Sequence, residues 1–187
     1  MLSSQDLKIL KKLEPKTLKH SQNVAKLSLL IGKKRKLEEI ELHEITMGAL
    51  FHDIGKMFVP KEILMKPSKL TEQEMNEVKK HTDLGYVFMK QNSDLPNESL
   101  RIILEHHEKS DGSGYPHGKT EEDISELSKI VSISDMYDAL VTDRVYRKAL
   151  PPSEAIRIIQ EESGTHFEKD LINNLIEEVG PFHELAL

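Results

Sequence analysis

Apolar residues in this chain recur at intervals of three and four, and no stretch sustains a two-residue alternation. That pattern restricts the fold to packed α-helices, because a half-buried strand needs every second side chain on one face. From Lys16 to Lys36, Leu18, Ala25, Leu29 and Gly32 trace one stripe, with Val24, Leu27 and Ile31 beside it and a KKRK run at the outer end. Glu38 to Phe51 repeats the rhythm through Ile40, Ile45, Ala49 and Leu50, with Gly55 just past the expected helix end. Thr71 and Glu74 form a capping box that opens a helix through Val78 toward His81, expected to bend there and continue to Met89. Asn97 is placed as the cap of a helix over Ile102, Ile103 and Leu104. Leu127 to Leu140, Pro152 to Glu162 and Glu168 to Val179 complete the set, the last two stopped by Gly164 and Gly180. The pattern predicts a single all-α domain over residues 1–187 with about seven to eight helices, residues 1–14 being an N-terminal helix or the remnant of an upstream linker.

A chain of 187 residues is long enough to bury a real core. It contains no Cys, which excludes disulfides and thiolate-held metals, so any metal must be gripped by imidazole and carboxylate. The net charge of −6 supplies no global basic field for nucleic acid or an anionic membrane, and an anionic ligand would need a local cluster of Lys or Arg. The N-terminal MLSSQDLKILKKLEPK scatters charges through its apolar residues, unlike a secretory signal, and ITMGALF at 45–51 is far shorter than the roughly 20 residues that span a bilayer. A cytoplasmic location without membrane contact is the expectation.

HDIGK at 52–56 and the pair His106 and His107 each sit at the predicted C-terminal end of an apolar helix. Side chains leaving such ends can converge on a common cavity. His20 on the first long helix, His81 after the Thr71 helix and Asp135 within IVSISDMYDAL are placed to join them. Taken singly, His20 or His81 reads as an ordinary packed or surface histidine, but a carboxylate in so apolar a segment as that around Asp135 is costly to bury without a cation. Five imidazoles and two carboxylates exceed what one tetrahedral ion can use and suit two ions bridged by a carboxylate. Nitrogen and oxygen donors fit iron, manganese, cobalt or zinc without ranking them. His43, His117, His166 and His183 lack such company and are assigned to surface or structural roles.

Together, His20, HDIGK, His81, HHEKSDGSGYP at 106–116, and DMYDAL followed by DRVYRKAL resemble the HD-GYP domain of the HD phosphohydrolase superfamily, from about Thr17 to Phe167. The resemblance implies an HD-type helical bundle with a GYP loop and a phosphodiesterase acting on cyclic di-GMP. It implies two divalent metal ions, iron or manganese first, with zinc, cobalt or nickel as further candidates. His20, His52, Asp53 and Asp135 match the core metal ligands, and His81, His106 and His107 complete a second site that Asp53 bridges. Asp53 and Lys56 match the catalytic pair, with Lys56 close to the substrate phosphate or the attacking water. Asp138 matches a contact to a guanine edge or the water network, and Arg144 and Arg147 match contacts to phosphate. Gly114, Tyr115 and Pro116 are the name-giving loop, which shapes the site and offers a surface for signalling partners. Hydrolysis by a metal-bridging hydroxide would yield pGpG. The onward step to GMP stays open, because Lys16 stands where some members carry a Glu that holds a third metal. Lys109 and Ser110 replace the bulkier residues usual in that loop. Two alternatives stay open beside this one: an HD phosphohydrolase of another nucleotide, and a non-catalytic module that binds a dinucleotide or a protein.

Overall fold

The computed structural model describes residues 2–144 and 147–180, and among them it forms ten α-helices and one 3-10 helix with no strand. In chain order these are α1 (Ser4–Leu10), α2 (Pro15–Lys34), α3 (Glu39–Phe51), the 3-10 helix (Ile54–Phe58), α4 (Lys61–Leu64), α5 (Glu72–Lys79), α6 (His81–Asn92), α7 (Asn97–Glu105), α8 (Glu126–Val141), α9 (Pro152–Glu161) and α10 (Lys169–Val179). All the longer helices expected from periodicity are present, and the short α1 and α4 add to their number. The bend expected near His81 is a break at Lys80 that separates α5 from α6. No helix among the described residues is long and apolar enough to cross a membrane.

Local chemistry sets the helix starts. Ser3 with Asp6, Glu38 with Glu41 and Thr71 with Glu74 form reciprocal capping boxes that satisfy amides left without partners in the first turn. Asn97 differs from expectation: Pro96 takes the cap position and its carbonyl accepts from Leu100 N–H, which makes Asn97 the first helical residue.

Two apolar clusters hold the bundle together. Ile31, Ile45, Ile102, Ile133, Ile159 and Leu175 are fully buried where α2, α3, α7 and α8 pack with α9 and α10. Ile9, Phe51, Ile54, Met89 and Ile103 form the second cluster, between α1, α3, the 3-10 helix, α6 and α7. Each such side chain contributes about 1.5–3 kcal/mol. Ile9 and Leu10 thereby pack α1 into the second cluster. Helices α3 and α7 belong to both clusters and cross closely: a Cβ on Gly48 would stand 2.6 Å from Ile102 Cδ1. Their C-terminal ends therefore open at one place, the seam between the two cores.

Candidate metal centre

At that seam His52 follows α3, and Asp53 leads into the 3-10 helix. His81 begins α6, and His106 and His107 follow α7. His20 comes from the second turn of α2 and Asp135 from α8. One ligand atom from each of Asp53, His81, His106 and His107 lies within 4.8 Å of the others, and the same holds for His20, His52 and Asp135. All seven residues expected as metal ligands are thus brought into two adjoining groups. Asp53, only 1% exposed, stands between them. Its Oδ1 is 3.4 Å from His81 Nε2, while its Oδ2 is 3.5 Å from His52 Nε2 and 3.8 Å from His20 Nε2.

The direction of each ring follows from what its Nδ1 touches. His52 Nδ1 lies 2.7 Å from the Ala49 carbonyl, His81 Nδ1 2.7 Å from the Val78 carbonyl, and His106 Nδ1 3.0 Å from the Ile103 carbonyl. A carbonyl can only accept, so each Nδ1 carries the proton and each Nε2 turns a lone pair into the cavity. His81 Nε2 and His106 Nε2 then face each other at 3.3 Å with no proton between them. Burial holds His81 down to about 4 and His106 well below the ordinary histidine value, so neither relieves the clash by taking a second proton near neutral pH. A shared cation would relieve it.

The rest of the electrostatics points the same way. His20 Nε2, His52 Nε2 and Asp53 Oδ1 are buried without a hydrogen-bond partner, each an omission that ordinarily costs about 1–3 kcal/mol. His20 Nε2 approaches Asp135 Oδ1 to 2.9 Å, but off the line of a hydrogen bond. Burial would lower the His20 pKa, but Asp135 and Asp138 outweigh it and raise it to about 9, so the pocket draws positive charge. Burial likewise opposes ionisation of Asp53, yet Lys56 and the surrounding imidazoles hold its carboxyl well below the usual range. The donor set is nitrogen and oxygen without sulfur, which fits iron, manganese, cobalt or zinc.

The expected substrate contacts are placed less uniformly. Lys56 Nζ lies 2.6 Å from Asp53 Oδ2 at the rim of the cluster. Asp138, expected to face substrate, is instead turned inward: its Oδ2 is 2.6 Å from His20 Nδ1 and its Oδ1 accepts from Asn23 at 2.9 Å. The 3-residue step from Asp135 to Asp138 puts both carboxylates on one face of α8, so the second backs the ring that the first meets. Asp138→Asn should weaken metal binding by about 10–100-fold, the usual worth of such an outer partner, and titration against a competing chelator reads it directly.

Arg147 also departs from expectation. Its guanidinium donates to the carbonyls of Ala139, Leu140 and Lys148, closing off the end of α8 instead of reaching outward. A helix end exposes carbonyls without partners, and a planar fork meets several at once. Arg147→Lys keeps the charge but loses the fork, and calorimetry should show a loss of about 1–2 kcal/mol. Arg144 pairs with Arg147 through the main chain. Gly114, Tyr115 and Pro116 fold back over the histidines, with the Tyr115 ring stacked on His107 at 4.7 Å. Lys16 is exposed and its charge acts on Asp143. His43 and His117 are exposed, His166 stacks on Phe167 at 3.8 Å, and His183 lies outside the described residues.

Four further side chains serve the site without having been singled out. Asn23 braces Asp138, and its position three residues after His20 on the same helix was a usable signal. Lys79 sits 5.2 Å from the centre of the Tyr115 ring. Glu105 and Glu108 flank the histidine pair and are buried. Glu105 accepts from Arg101, Lys119, the Ser125 amide and Ser128, which ties the end of α7 to the start of α8.

The sequence profile described as HD domain matches residues 7–171. A cyclic di-GMP phosphodiesterase of Thermotoga maritima is 37% identical over 157 residues, covering 83% of this chain and 43% of that protein. A cyclic di-GMP phosphodiesterase of Pseudomonas aeruginosa is 36% identical over 171 residues, covering 91% and 41%. A 3'3'-cGAMP-specific phosphodiesterase of Vibrio cholerae is 36% identical over 159 residues, covering 84% and 34%. The chain therefore spans less than half the length of these relatives. Among solved structures, an HDG"Y"P protein of Bdellovibrio bacteriovorus superposes with a TM-score of 0.74 at 22% identity, over 95% of this chain and 58% of that one. The HD domain of the phosphodiesterase PgpH from L. monocytogenes, in complex with cyclic-di-AMP, superposes with a TM-score of 0.67 at 22% identity, over 94% and 97%. At such identity the likeness is one of fold. With its profile match and its HDIGK and HHEKSDGSGYP strings, the chain belongs to the HD domain family, on the HD-GYP branch.

Proposed function

We propose that this chain is a metal-dependent phosphodiesterase that opens cyclic di-GMP to linear pGpG. His20, His52 and Asp135 would hold one divalent ion, and His81, His106 and His107 a second, with Asp53 shared between them. Iron or manganese are the first candidates. The observation that carries this reading is the confrontation of His81 Nε2 and His106 Nε2 at 3.3 Å beside the unpartnered Asp53 Oδ1. When bound, two such ions supply charge neutralisation of the phosphodiester and acidification of water to near neutral pH.

The chain's own residues do the positioning. Asp53 presents one oxygen to each group, which sets the two sites side by side. Asp138 and the carbonyls of Ala49, Val78 and Ile103 orient four of the five rings. Lys56 is 23% exposed against 1% for Asp53, so its ammonium leans in from the solvent side. From there it can pass from Asp53 to a phosphate oxygen as negative charge grows.

The test is elemental analysis of protein purified without oxygen, followed by product identification from cyclic di-GMP, 3'3'-cGAMP and cyclic di-AMP. About two ions per chain, pGpG as the product and loss of turnover after chelation are the expected results. A metal-loaded chain that cuts none of the three would refute the assignment. Faster cleavage of 3'3'-cGAMP would move the substrate to that second reading, which two of the Vibrio cholerae relatives carry in their names. Accumulation of pGpG without GMP is expected because Lys16 offers no carboxylate for a third ion.

A further inference from the structure

Four of the five clustered imidazoles have Nδ1 fixed by an acceptor, but among the described residues none meets the His107 ring. What His107 has instead is Tyr115. The two rings stack at 4.7 Å with 29° between their planes, and the Tyr115 amide donates to the His107 carbonyl at 3.0 Å. Tyr115 is eight positions further along, so the chain must double back to place it. Glu108, the residue directly after the pair, makes it do so. This carboxylate is 3% exposed, and it spends both oxygens on main-chain amides across the loop: Oε1 accepts from His117 N–H at 2.7 Å and Oε2 from Lys119 N–H at 3.0 Å. The return is tight enough that a Cβ on Gly114 would lie 2.4 Å from Lys109 N and 2.5 Å from Glu108 Cα. A bridge between Asp111 and Thr120 closes the outer end.

We infer that Glu108 is a positioning residue: by closing the loop from 108 to 119 it seats the Tyr115 ring on His107, and the ring aims His107 into the group with Asp53, His81 and His106. Tyr115 thus does for His107 what a main-chain carbonyl does for its neighbours. The inference rests on the reading of His107 as a metal ligand.

Glu108→Gln keeps the shape but turns an NH₂ toward one of the two amides, so that donor meets donor. In the metal-free protein, hydrogen exchange at His117 and Lys119 should become fast while the helical circular dichroism stays the same. Titration with Mn(II) should show one ion held as in the parent and the other weakened about 10–100-fold. Tyr115→Ala should reproduce that weakening and Tyr115→Phe should not, because only the ring is needed. Combining Glu108→Gln with Tyr115→Ala should weaken the second ion no further than Tyr115→Ala alone. Unchanged exchange at the two amides overturns loop closure, and additive losses in the double variant overturn the route through Tyr115. A parent chain that takes up no second ion refutes the metal reading itself and the aiming role with it. Should Glu108→Gln fail to fold, the Tyr115 pair still decides the route.

Discussion

On the proposed function, Asp53→Asn should lower hydrolysis of cyclic di-GMP by more than about 100-fold, beyond the upper end of what an outer partner of a metal ligand is worth, and remove most of the bound metal. The metal-free variant should nonetheless melt close to the parent. The first half follows from position: Asp53 faces both groups, with Oδ1 toward His81 and Oδ2 toward His52 and His20. An amide loses the charge that two cations would share and presents a nitrogen that cannot ligate. The second half follows from burial. A carboxylate taken fully out of water costs several kcal/mol, which Lys56 at 2.6 Å and the surrounding imidazoles offset, although one oxygen has no hydrogen bond at all. Removing the charge removes the cost and its offset together, and the partly exposed Lys56 can turn to solvent. Calorimetry of chelated protein, run beside metal analysis and turnover, separates the two effects. A melting temperature several degrees below the parent would mean that Asp53 is held for stability and not for binding.

Most of the helices were legible because they bury a stripe at the helical period, and α5, which buries no residue, through its capping box. His52, Asp53, His106 and His107 were legible because their strings fall at helix ends. The reason they fall there is itself physical, and no single letter carries it. His52, His81 and His106 each stand three positions beyond the carbonyl that accepts from Nδ1, namely Ala49, Val78 and Ile103, in the last turns of α3, α5 and α7. Carbonyls in a last turn lack helical partners. A histidine placed just after satisfies one with Nδ1 and, by doing so, commits Nε2 to the cavity. The substrate contacts were less legible. Asp138 and Arg147 have the chemistry to meet a guanine edge or a phosphate, but His20 lies 118 positions from Asp138 and reaches it first, and the carbonyls at the end of α8 claim Arg147. Residue type says what a side chain can bind; only the fold says what arrives. Glu108 was unread for the same reason, since its partners are main-chain amides that any residue supplies.

Gly55→Ala should be the most destabilising single methyl in the domain, at about 3 kcal/mol, the upper end of ordinary overpacking. In a chain of this length that lowers the melting temperature by about 6–12 °C. The added Cβ would stand 1.8 Å from the His81 carbonyl oxygen and 2.7 Å from the Gly85 amide nitrogen. Both are backbone atoms in the first turn of α6, so no rotamer change relieves the contact, and α6 must back away from the 3-10 helix. That movement draws His81 off Asp53, from which it is now 3.4 Å, and metal affinity should fall along with stability. The glycine of HDIGK is therefore the point where the turn carrying His52 and Asp53 is pressed against the helix carrying His81. Gly85→Ala faces contacts of 3.1 Å to Gly55 N and Ile103 Cγ2 and should cost about 1 kcal/mol. Gly180→Ala meets nothing within 4 Å among the described residues and should be neutral or stabilising by a few tenths of a kcal/mol, about what a shorter list of unfolded conformations gives. Thermal melts and Mn(II) titrations of the three variants check the order. A Gly55→Ala protein that melts within 2 °C of the parent, a margin worth about 1 kcal/mol or less here, would show that α6 is not seated on the 3-10 helix as described.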